Sequence, residues 1–117
     1  MKGVEDNLQA SIVAYLRVCV PSHIVFAVPN GGLRTKAQAG ILRATGQLAG
    51  VPDLCLIGPC GVARFLEVKT EKGVLNKDQK AILNLFMNMS VQYAVVRSID
   101  DVKAALASWR IPTRETA

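Results

Sequence analysis

Leu54-Cys55-Leu56-Ile57-Gly58-Pro59-Cys60-Gly61-Val62-Ala63-Arg64-Phe65-Leu66-Glu67-Val68 is the segment on which the fold turns. Two short apolar runs flank a Gly-Pro-Cys-Gly interruption, the pattern of a β-hairpin. With Pro59-Cys60-Gly61 as a three-residue loop, the fixed φ of Pro59 suits a type I turn and Gly61 takes the left-handed position that follows. Gly58 then faces Val62. Counting down both strands from that pair sets Asp53 directly across from Glu67, on one face, with Cβ atoms about 5 Å apart. A loop one residue longer or shorter would undo this register.

The rest of the chain supplies the neighbours of the hairpin. Leu8, Ile12, Tyr15, Leu16 and Cys19 recur at helical spacing, predicting a helix from about Val4 to Cys19 that ends before Pro21. Ile24 to Val28 is a β-rich run stopped by Pro29-Asn30-Gly31-Gly32. Thr35 with Gln38 forms a capping box for a short basic helix that carries Ile41 and Leu42 and stops near Gly46. Asn76 with Gln79 opens a further helix through Ile82, Leu83, Leu85, Phe86 and Met89. Gln92 to Arg97 is a fourth strand, and Ser98 and Asp101 cap a last helix from Asp101 to Trp109. The order α-β-α-β-β-α-β-α describes an α/β fold, a mixed four-stranded sheet flanked by helices. The expectation is one domain over residues 1–117, with its core from about 4 to 109 and a tail over 110–117.

Composition narrows the function classes. Of 117 residues, 50% are hydrophobic and 20% charged, which predicts a folded globular chain and excludes a disordered one. The net charge of +5 suits a polyanionic partner without demanding one. Three cysteines with no C-x-x-C pair, and a single histidine, argue against a structural zinc site and for a reducing compartment. The acidic start of the first helix and the absence of a long apolar run predict neither export nor membrane insertion, so a cytoplasmic location is expected.

The hairpin register brings chemistry together. Asp53 and Glu67 converge on one point, Lys69 shares their face because strand side chains alternate, and Val68 turns inward, leaving its carbonyl at the edge of the group. Two carboxylates with an adjacent carbonyl suit a hard divalent cation such as Mg2+ or Mn2+. With a lysine to orient or deprotonate water, the set suits phosphodiester hydrolysis. A bare Glu-x-Lys is more often a same-face ion pair worth under about 1 kcal/mol. Here the Gly50-Val51-Pro52-Asp53 context and the register favour the site.

In these features the chain resembles the VRR-NUC domains, virus-type replication-repair nucleases within the PD-(D/E)xK superfamily of restriction-endonuclease-like folds. The matching residues are Glu5 with Gln9, Pro29-Asn30-Gly31-Gly32 with Arg34, Gly46 before Gly50-Val51-Pro52-Asp53-Leu54, Glu67-Val68-Lys69-Thr70 before Gly73, and Gln79. The resemblance implies metal ligands at Asp53, Glu67 and the Val68 carbonyl, a catalytic role for Lys69 and a supporting acidic role for Glu5. It also implies a homodimeric, phage-type enzyme acting on branched DNA such as four-way junctions. A flap or duplex-end nuclease of the same fold, or a non-catalytic nucleic-acid-binding module, is the alternative.

Other residues have two readings each. Glu5 suits the helix dipole as well as a second metal position or a water-mediated contact. Gln79 suits the third position of a capped helix as well as a contact in the site. Asn30, Gly31 and Gly32 with Arg34, Lys36 and Arg43 offer backbone amides and cations for DNA phosphates, or simply a turn and a solvated basic face.

Overall fold

A computed structural model of the chain describes residues 3–29 and 35–115. Four helices and four strands follow in the expected order: α1 (Val4–Cys19), β1 (Ile24–Ala27), α2 (Lys36–Ala44), β2 (Leu54–Ile57), β3 (Ala63–Val68), α3 (Lys77–Asn88), β4 (Tyr93–Val96) and α4 (Ile99–Ser108). The sheet order is β1-β2-β3-β4, with β3 and β4 parallel and the other pairs antiparallel. The mixed four-stranded sheet flanked by helices is therefore as the sequence predicts.

Strand alternation divides the side chains between two layers. Leu54, Leu56, Leu66, Val68 and Val96 join Ile12 and Leu16 of α1 and Val102 and Leu106 of α4 in one buried cluster. Each such side chain contributes roughly 1.5–3 kcal/mol of burial free energy. On the opposite face Phe65 meets Phe86 of α3 with ring centroids 5.0 Å apart, and Phe86 in turn meets Tyr93 at 6.4 Å. Glu67 stands between Leu66 and Val68 and so faces the α3 side. Beyond α4 the chain runs back: Ile111 is buried with the core, and the Arg114 N–H donates to the Cys19 carbonyl at 2.6 Å.

The hairpin keeps its register but not its expected turn. Leu54 pairs with Leu66 and Ile57 with Ala63, while the Gly58 N–H donates to the Val62 carbonyl at 3.0 Å. Cys60 has φ 65° and ψ 14°, the third-residue geometry of a type II turn, and Gly61 follows at φ 72°. Proline is equally suited to the second position of types I and II, so its presence could not choose between them. Loop length sets the register, and it is three residues in either case.

Both predicted capping boxes form, at Thr35 with Gln38 and at Asn76 with Gln79. The last helix starts earlier than expected, at Ile99. Ser98 Oγ accepts from the Asp101 N–H at 3.0 Å, and an N-cap oxygen reaches the third helical residue rather than the first. Asn30, Gly31, Gly32 and Arg34 lie outside the described residues.

Candidate active site

Asp53 precedes β2 by one residue, so the register that pairs Leu54 with Leu66 carries on to set Asp53 opposite Glu67. Asp53 Oδ2 accepts from the Val68 N–H at 2.8 Å, which ties its carboxylate to the end of β3. Glu67 is only 1% exposed and is the one buried charged residue among the described residues. Its Oε2 accepts from Gln79 Nε2 at 3.2 Å, whereas its Oε1 is buried with no hydrogen-bond partner.

The electrostatics follow from that burial. Desolvation above all, and next the adjoining Asp53 carboxyl, raise the Glu67 pKa to about 8; Lys69 opposes the rise and Glu5 adds to it. Glu5, in the first turn of α1, is also raised, first by burial, with Lys69 opposing and Asp53 and Asp6 adding. Three elements thus bring Glu5, Asp53, Glu67 and Lys69 within electrostatic reach of one another.

Gln79 is committed at both ends of its amide. Its Oε1 accepts from the Asn76 N–H at 2.9 Å as the return half of the capping box, and its Nε2 reaches Glu67. The helix start is close enough for this because Gly50, at φ +90°, has no side chain: a Cβ there would stand 2.8 Å from the Gln79 nitrogen. A cavity of about 160 Å³ lies alongside, lined by Gly50, Val51, Asp53, Asn76, Asp78 and Gln79. That is room for several water molecules.

The donor set fits a hard divalent cation. A buried carboxylate oxygen without a partner is costly, and Asp53 and Glu67 side by side repel when both are ionised; a cation accepts both and reverses the rise at Glu67. Among the described residues no group of three or more His, Cys, Asp or Glu side chains is placed to hold a metal. Glu5 is coupled to Asp53, Glu67 and Lys69 through charge.

Lys36 and Arg43 stand exposed on α2, and neither contributes to the shifts of Glu5 and Glu67. One residue escaped sequence reasoning. Arg97 Nη1 donates to the carbonyls of Thr70 (2.6 Å), Glu71 (3.3 Å) and Gly73 (2.6 Å), clamping the turn that follows Lys69. A guanidinium bound only to backbone oxygens leaves no partner pattern to read.

The family model for the VRR-NUC domain matches residues 1–100. A solved structure described as a VRR_NUC domain aligns with a TM-score of 0.60 and 23% identity, over 89% of this chain and 94% of that one. At that identity the likeness is one of fold. A comparison with curated proteins returns no match.

Proposed function

Since the chain belongs to the VRR-NUC family, and so to nucleases of the PD-(D/E)xK type, we propose that it is a Mg2+- or Mn2+-dependent deoxyribonuclease selective for branched DNA. The observation that carries the reading is the pairing of Asp53 with Glu67 across β2 and β3, with one Glu67 oxygen buried and uncompensated and Lys69 next along the chain.

In this reading Asp53, Glu67 and the Val68 carbonyl hold the cation, and Glu5 contributes charge or a contact through water. When bound, the cation supplies Lewis-acid neutralisation of phosphate charge and lowers the pKa of a water molecule. Lys69 orients the attacking water and takes part in moving its proton. Gln79 keeps the Glu67 carboxylate turned toward Asp53. Asn30, Gly31, Gly32 and Arg34, with Lys36 and Arg43, meet DNA phosphates, in keeping with the net charge of +5. The protein works as a single-domain, intracellular homodimer. Among the described residues no helix is long and apolar enough to cross a membrane.

The test is cleavage of labelled four-way junction, flap and linear duplex DNA with Mg2+, Mn2+ or EDTA. Metal-dependent cutting that favours the junction and disappears in Lys69→Ala is expected. Binding without cutting by the wild type would make the chain a binding module instead, and equal cutting of all three substrates would remove the branch selectivity.

A further inference from the structure

The ladder between β2 and β3 stops one rung short of where the register would carry it. Because the Gly58 N–H donates to the Val62 carbonyl, the hydrogen-bonded pairs of this hairpin are Gly58 with Val62, Leu56 with Arg64 and Leu54 with Leu66. The same parity appears on the other side of β3, where the N–H groups of Phe65 and Lys69 turn instead to the Gln92 and Val96 carbonyls of the β4 side. The next pair toward the site is Pro52 with Val68. Residues in such a pair exchange two bonds, each N–H to the opposite carbonyl.

Pro52 has no N–H to give. The Val68 carbonyl therefore lacks a ladder donor, and the Val68 N–H is taken by Asp53 Oδ2 at 2.8 Å. Pro52 itself is fully buried, so its ring holds this break in place from within the fold. We infer that Pro52 is a positioning residue of the metal site: by withholding one donor it leaves the Val68 carbonyl available as a ligand, beside the Val68 N–H that holds Asp53.

This rests on the metal-site reading above, and the experiment separates the two. Mn2+ binding to the full chain, without DNA, is measured by calorimetry for the wild type, Pro52→Ala and Pro52→N-methylalanine, the last built by joining 1–54 to 55–117 at Cys55. Hydrogen exchange at position 52 is read in Pro52→Ala. The restored N–H should be protected from exchange, and Mn2+ affinity should fall by about tenfold, as for other residues that orient metal ligands. N-methylalanine, which has no N–H, should bind as the wild type does.

A freely exchanging amide at position 52, unchanged affinity in Pro52→Ala, or equal weakening in both variants would overturn the role of the missing donor. The last outcome would trace the loss to the proline ring. A wild type that binds no Mn2+ would sink the metal reading and this inference toward it, whatever the exchange at position 52.

Discussion

A β-carbon at Gly50 would stand 2.4 Å from the carbonyl carbon and oxygen of Asp78, so the backbone that leads into Asp53 lies directly against the first turn of α3. This contact brings Gln79 to Glu67. Gly50→Ala meets both the clash and the strain of φ +90°, and should cost roughly 3 kcal/mol. Thermal unfolding should show the loss, and cleavage should fall further than the unfolded fraction explains. An unchanged melting temperature would mean that the two backbones part freely.

Glu67 predicts how stability varies with pH in metal-free protein. Its pKa is raised from 4.5 to about 8 on folding, so the folded state holds the proton more tightly than the unfolded state. That stabilisation is fully present below about pH 4.5 and is lost as pH rises through about 8. Glu67→Gln cannot ionise. In EDTA it should match the wild type at pH 4 and exceed it by roughly 1–3 kcal/mol at pH 8, the range for a buried uncompensated group. Denaturant titrations at both pH values check this; a gap that does not widen with pH would contradict the shift.

Lys69→Ala and Asp53→Ala should each lower cleavage by at least about 100-fold while DNA binding persists. They should differ in stability. Asp53→Ala leaves the Val68 N–H without its 2.8 Å acceptor and should cost about 1–2 kcal/mol, whereas Lys69→Ala removes no such bond. Paired unfolding and cleavage measurements separate the effects.

Arg97→Ala should free the Thr70 to Gly73 turn, destabilising the protein by roughly 2–3 kcal/mol and lowering activity through Lys69. A Cβ at Gly73 would stand 3.5 Å from Lys69 Cδ, so the clamped turn is the wall against which that side chain rests. Arg97→Lys should recover only part of both, because the lysine side chain ends one bond short of the Nη1 atom that makes all three contacts. Full recovery in Arg97→Lys would reduce the role of Arg97 to its charge.

The opposition of Asp53 and Glu67 was legible because a hairpin register depends on loop length, which is countable in a sequence. The Asn76 capping box was legible too, since its spacing is local. The turn type was not, because Pro59 fits either type. Gln79 was named for the site from the sequence, but its partner there, Glu67, and the grip of Arg97 on three carbonyls were hidden for a different reason. Each needs a tertiary approach, of Gly50 to α3 in one case and of β4 to the turn after β3 in the other. Nothing in residue type or spacing encodes such distances.

The turn at Pro59 to Gly61 offers an experimental handle. Cys60 projects at the hairpin tip as the exposed thiol of the three cysteines, while Cys19 and Cys55 are buried. Gly58, where the turn begins, lies five residues from Asp53 along an extended strand, about 17 Å away. A fluorophore or spin label on that sulfur would move rigidly with the strands that carry Asp53 and Glu67, yet stay clear of both carboxylates. Distances from it to labelled DNA ends would fix which way a substrate crosses the protein, in the native sequence with no residue replaced.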